Sequence, residues 1–135
     1  MKKLLLSVFL LPCILLTACG NNTIPDNEKG ENAMYQQITQ SEAKAIMDSG
    51  KDIIILDVRE QDEFDEGHIP NAILLPYTRI EDKAEEVLPD KSAEILVYCR
   101  SGRRSKIAAE SLADLGYTNI KEFGGIIDWE YEVEK

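Results

Sequence analysis

The residues of this chain best suited to chemistry are concentrated in Cys99-Arg100-Ser101-Gly102-Arg103-Arg104-Ser105. The apolar run Ile95-Leu96-Val97-Tyr98 leads directly into them and Lys106-Ile107-Ala108-Ala109 leads away. A buried strand is therefore expected to run into a thiol, and the thiol into a tight loop that opens a helix. N–H groups at a helix N-terminus lack intrahelical partners and carry about half a positive charge, so backbone alone stabilises an anion held there. A thiolate is such an anion. A free cysteine titrates near ~8.5, and beside cations at a helix N-terminus the value falls to roughly 3.5–7.5. Cys99 is thus predicted to be ionised at neutral pH and nucleophilic. The alternative, an inert buried thiol closing a core strand, leaves Arg100, Arg103, Arg104 and Lys106 unexplained, because two or three of these cations lie in the first helical turn, where each opposes the dipole at roughly 0.3–1 kcal/mol. A local rule broken at one place points to a functional loop.

Something must hold that loop, and the chain is first divided into what can fold and what cannot. Lys2-Lys3, the apolar stretch Leu4 to Leu16 and Thr17-Ala18-Cys19 form a basic start, an apolar core and a small-residue cleavage site. The apolar core is too short to span a bilayer as a helix of about 20 residues. Leu16-Thr17-Ala18-Cys19 resembles the bacterial lipobox, whose cysteine is lipidated and becomes the first residue of the mature protein. The expected processing therefore removes residues 1–18 and places a lipid on Cys19. The alternatives are an ordinary signal peptide cut after Ala18 or an uncleaved anchor. Gly20 to Ala33 is polar, contains Pro25 and Gly30, and reads with Cys19 as a flexible tether with a mean span of roughly 20 Å. A domain over residues 34–135 is left, extracytoplasmic and membrane-anchored, on the periplasmic or cell-surface side.

Composition limits the partners. The chain has 25 acidic against 15 basic residues and a net charge of −10. Such a surface repels nucleic acid and anionic headgroups, so the arginine loop is a positive island suited to a small anion. Of three cysteines, Cys13 leaves with the signal segment and Cys19 is alkylated, so Cys99 is the one free thiol and forms no internal disulfide. A single histidine argues against a Cys/His metal site, and neither metal nor cofactor is expected.

The remaining residues alternate between strand and helix patterns. Tyr35–Ile38 suits a short first strand, and Thr39-Gln40-Ser41-Glu42 has capping-box spacing for a helix that Gly50 terminates. Ile53–Leu56 is a β-branched run leading to Asp57-Val58-Arg59. Glu60–Glu66 reads as a short acidic helix, Gly67–Ala72 as a turn, Ile73–Leu75 as a strand and Ile80–Leu88 as a helix. The strand into Cys99, a helix from Ser105 to Leu115 with Gly116 as its cap, and a strand Ile120–Phe123 complete the domain. This alternation predicts an α/β fold with a mainly parallel central sheet and helices on both faces, its ligand site at the carboxyl ends of the strands. Asp57 and Cys99 both lie at such ends.

Four landmarks in this order resemble the single-domain rhodaneses, the sulfurtransferase homology family. They are Leu56-Asp57-Val58-Arg59-Glu60, Gly67-His68-Ile69-Pro70-Asn71-Ala72, Val97 to Ser105, and Gly124-Gly125-Ile126 with Trp129. The resemblance implies a rhodanese-like three-layer fold and a thiosulfate-type sulfurtransferase whose loop cysteine carries a persulfide. Loop length separates the neighbouring chemistries. Cysteine-dependent phosphatases resemble Cys-x5-Arg, which would need arginine where Ser105 stands; here Arg104 closes a Cys-x4-Arg loop, and the smaller ring of N–H groups suits a terminal sulfur better than a phosphoryl group. Phosphatase or arsenate reductase activity is the lesser alternative, and a persulfide-binding or relay module without turnover is another. On the sulfurtransferase reading Cys99 takes the outer sulfur of a small anionic donor, and a thiol, cyanide or sulfite removes it. Arg100 and Arg104 are expected to orient the anion, Arg103 to add field, and Ser101, Gly102 and Ser105 to complete the loop. Asp57 and Arg59 are expected to form an ion-paired scaffold beneath it, with a secondary role in setting the field at Cys99. His68 is assigned to a structural turn, and Trp129 and Tyr131 to an apolar closure. A monomer is expected, reaching the membrane only through its N-terminal lipid.

Overall fold

A computed structural model describes residues 34–135; the signal segment, Cys19 and the tether lie outside the described residues. The strands are β1 (Gln36–Gln37), β2 (Ile54–Asp57), β3 (Ile73–Leu74), β4 (Ile95–Cys99) and β5 (Ile120–Gly125). They form one sheet in the order β1-β5-β4-β2-β3, and every pairing is parallel. Connecting parallel strands requires crossovers, supplied here by α1 (Gln40–Asp48), α2 (Gln61–Glu66), α3 (Ile80–Val87) and α4 (Arg103–Asp114). The expected α/β architecture is the one observed.

Central β4 is buried at all five residues, which explains its unbroken apolar sequence. Burial of each large aliphatic side chain there is worth about 1.5–3 kcal/mol. Alternation along β4 divides the core. Val97 and Cys99 face a layer built with Ile80, Ala84, Ala108, Ala109 and Leu112 from α3 and α4. Leu96 and Tyr98 face the opposite layer with Ala43, Phe123, Ile46 and Trp129. Helices therefore cover both faces. The capping box opens α1, with Thr39 Oγ1 accepting from Glu42 N at 3.2 Å and Glu42 Oε2 accepting from Thr39 N at 2.7 Å.

Two boundaries near Cys99 differ from the sequence reading. Helix α4 begins at Arg103 rather than Ser105, because Gly102 at φ 103° turns the backbone into helix two residues earlier. Strand β5 continues through the Gly-Gly pair to Gly125 instead of stopping at Phe123. Val97 is level with Glu122 and Cys99 with Gly125, so β5 spends one extra residue over that interval, a bulge. The bulge carries β5 up alongside the thiol.

Candidate active site

Cys99 ends β4 and is 1% exposed. The chain reverses over Arg100-Ser101-Gly102, and Gly102 N donates to Cys99 Sγ at 3.0 Å. Ser105, in the first turn of α4, puts its hydroxyl 3.5 Å from the sulfur. Burial pushes the thiol up, but the Ser105 hydroxyl and the N–H groups of Ser105, Gly102 and Ser101 outweigh it, and Cys99 titrates below an ordinary cysteine. The expected tight turn is present, with backbone N–H groups directed at the sulfur.

The loop is held from β5. Gly125 lies against the Arg100 carbonyl so closely that a Cβ there would sit 2.1 Å from the oxygen. Ile127 N donates to the same carbonyl at 3.1 Å, and Gln40 Nε2 donates to Gly125 O at 2.7 Å. The Gly-Gly-Ile landmark is thus the support on which the Cys99 loop rests.

The arginines divide unequally. Arg104 is bidentate on Glu63, with Nη1 to Oε2 and Nη2 to Oε1 both at 2.7 Å. That pairing, chiefly through the hydrogen bonds from Arg104, draws the Glu63 carboxyl down to about 2. Arg104 is in turn held protonated by Glu63 first and, more weakly, by the charge on Cys99. The residue expected to orient the substrate anion therefore has its guanidinium fork occupied. Arg100 and Arg103 are exposed and have no ion-pair partner among the described residues, so the unpaired positive charge of the loop is theirs.

Asp57 and Arg59 pair as expected. Arg59 Nη2 reaches Asp57 Oδ2 at 2.7 Å, its Nε lies 3.0 Å from both carboxylate oxygens, and both residues are buried. Arg59 also donates to Gly67 O at 2.7 Å, tying β2 to the turn after α2. The pair is not brought to the thiol, however. Asp57 is level with Tyr98 and shares its face, whereas Cys99 points to the other. The ion pair is present but joins β2 to the Gly67 turn rather than to the Cys99 loop, and the sheet separates these charges from the sulfur.

His68 stacks on Phe64 at 3.7 Å between ring centroids, and its Nδ1 lies 2.9 Å from Phe64 O. Its backbone pairs with Glu134 through two 2.8 Å bonds. It lies in an antiparallel bridge to the C-terminal segment, and the turn expected here falls two residues later, at Pro70-Asn71. Trp129 packs on Phe123 and Tyr131, closing the opposite layer.

Two contributors escaped the sequence reading. Glu63 looked like one more carboxylate on an acidic helix, and its partner is 41 residues away. Glu122 is 3% exposed and accepts from Ser105 Oγ at 2.6 Å and from Gly124 N at 2.8 Å. A signal for Glu122 did exist: it shares period-2 parity with Ile120 and so falls on an inward position of β5.

The Rhodanese-like domain family matches residues 39–132. The chain belongs to that family. Among relatives, this chain is 36% identical to the thiosulfate sulfurtransferase GlpE of Coxiella burnetii over 72% of its own length and 89% of that protein. It is 34% identical to the adenylyltransferase and sulfurtransferase UBA4 of Candida albicans over 87% of this chain but 27% of that protein, so it spans about a quarter of that longer relative. A solved structure, rhodanese with anions from E. coli, superposes with a TM-score of 0.57 at 32% identity, covering 61% of this chain and 96% of that one. The rhodanese-like domain is therefore homologous to thiosulfate sulfurtransferases.

Proposed function

We propose that the protein is a sulfurtransferase that moves a sulfane sulfur from thiosulfate or a related small anion to a thiophilic acceptor through a persulfide on Cys99. The observation that carries this reading is the N–H-lined turn at the end of β4, with Gly102 N 3.0 Å from a thiol that titrates low. The Cys99 thiolate attacks the outer sulfur of the donor. A bond forms between the two sulfurs, the S–SO3 bond breaks, and sulfite departs with its electron pair. The terminal sulfur of the persulfide then bears the negative charge, which the loop N–H groups stabilise. Attack on that sulfur by cyanide, sulfite or a thiol returns the thiolate. Arg100 and Arg103 guide the donor anion, while Arg104 braces the loop on Glu63. The lipobox-like segment supports an extracytoplasmic domain anchored through a lipid on Cys19.

The test is sulfite release from thiosulfate with cyanide as acceptor. Turnover is expected in the native chain and background only in Cys99→Ala. A native rate equal to that of the variant overturns the enzyme reading; a single stoichiometric loading of Cys99 without turnover replaces it with a relay module.

A further inference from the structure

Ser105 has one hydroxyl proton and several claimants. Glu122 Oε1 lies 2.6 Å from its Oγ, Gly102 O at 3.0 Å, Gly124 O at 3.4 Å, and Cys99 Sγ at 3.5 Å. The shortest of these goes to a carboxylate, and charge-assisted bonds are the strong ones. While Glu122 is ionised the Ser105 proton is drawn mainly to it, which weakens the help this hydroxyl gives a Cys99 thiolate. Ser105 donates fully to the thiolate when Glu122 holds a proton of its own and donates it back to Ser105. The hydroxyl therefore links the two acids so that ionising one makes ionising the other harder.

We propose that Glu122 is the proton acceptor for Cys99, reached through Ser105, and that thiol and carboxyl share one proton across that hydroxyl. In the forward step the Cys99 S–H bond breaks and its proton bonds to Ser105 Oγ as the original hydroxyl proton passes to Glu122 Oε1. Negative charge moves from carboxylate to sulfur, and nothing is oxidised or reduced. The role in turnover rests on the sulfur-transfer reading: when an acceptor takes the outer sulfur, the S–S bond breaks with its electron pair on Cys99 Sγ, and the chain runs backwards to protonate it. Gly124 N, at 2.8 Å from Oε1, holds the carboxyl in position. Glu122 borders an open cavity of about 390 Å³ between α1, the Cys99 loop and β5, which supplies a route for proton exchange with solvent. The other charged groups at that wall are Lys106 on α4 and Asp128 in the last turn. Tyr35, ahead of β1, also feels the charge on Glu122.

Alkylation of Cys99 as a function of pH, followed in the full chain by mass spectrometry of the Cys99 peptide and with no sulfur donor present, tests the link. Sites that interact this closely titrate as a pair in two apparent steps. The native profile is therefore expected to be two-step, and Glu122→Gln is expected to collapse it to one step about one pH unit below the upper native step. If Glu122 merely braces Ser105, the variant midpoint stays or rises, and either result overturns the proposal. Should Glu122→Gln not fold, the Glu122 carboxyl carbon is followed by NMR in the native chain and in Cys99→Ala. The proposal requires a two-step native titration that becomes a single step at lower pH without the thiol; identical curves overturn it. Neither readout depends on sulfite release, so failure of the enzyme reading and failure of this one are separable.

Discussion

Glu63→Gln tests whether the Arg104 clamp stabilises the loop. The bidentate pair has both contacts at 2.7 Å and side chains 18% and 23% exposed. Arg104 and the Glu60 N–H bring the Glu63 carboxyl from an ordinary 4.5 to about 2. At roughly 1.4 kcal/mol per tenfold change in proton affinity, the ceiling is about 3 kcal/mol. Solvent screening at a pair one-fifth exposed, together with the hydrogen bond that a glutamine oxygen can still accept, reduces the expected loss to ~1–2 kcal/mol. A folded-state value below the unfolded one means that the stabilisation is complete above about 4.5 and vanishes as pH falls toward 2. Urea unfolding of native and variant chains at neutral pH should therefore differ by ~1–2 kcal/mol, and the two stabilities should converge on acidification through that window. For a domain of this size the neutral-pH difference corresponds to a fall in Tm on the order of 5–10 °C. A gap that persists unchanged at low pH, or one below about 0.3 kcal/mol at neutral pH, would refute the assignment of the shift to this pair.

Gly125→Ala should disable sulfite release, because its Cβ would meet the Arg100 carbonyl at 2.1 Å and push the loop off β5; full activity would remove β5 as the loop's support. Asp57→Asn leaves buried Arg59 without its counter-charge and should cost about 3–5 kcal/mol by urea titration. In the variant that remains folded, the Cys99 alkylation midpoint should be unchanged, since the sheet lies between them. Tyr98→Phe removes the acceptor of the Ile69 N–H and should cost about 1–3 kcal/mol, read from thermal unfolding. Cys19→Ser should release the protein from membranes, and unchanged sedimentation with membranes would dismiss the lipid anchor.

Most of what fixes the site's position was legible because it is local. The apolar run Ile95–Tyr98 could only be a covered strand, and its junction with a glycine-containing basic loop identified both the thiol and the helix after it. The features that were missed depend on pairings across the fold. No spacing within α2 distinguishes Glu63 from its acidic neighbours, because its significance comes from Arg104 on another helix. Asp57 and Cys99 both end strands, but which face each occupies depends on register between β2 and β4. The start of α4 was displaced because no residue type marks whether Gly102 is left-handed, and it is that conformation that puts Arg103 and Arg104 in the first helical turn. Glycine pairs usually punctuate strands, so the Gly124-Gly125 segment read as the end of β5, although its lack of side chains is what lets it run against the loop.

The uniform direction of the strands also determines how the site faces its surroundings. Gln36 is level with Lys121 and Lys121 with Leu96, so Met34, beside Thr118 and Asn119, enters at the amino pole of the sheet. Cys99 lies at the carboxyl pole, about five residue rows or roughly 16 Å further along. A pull on the chain at Met34 would therefore be applied at the pole opposite the sulfur loop. An attachment at that pole leaves the carboxyl end of the sheet, where the Cys99 loop lies, clear of the attachment point itself.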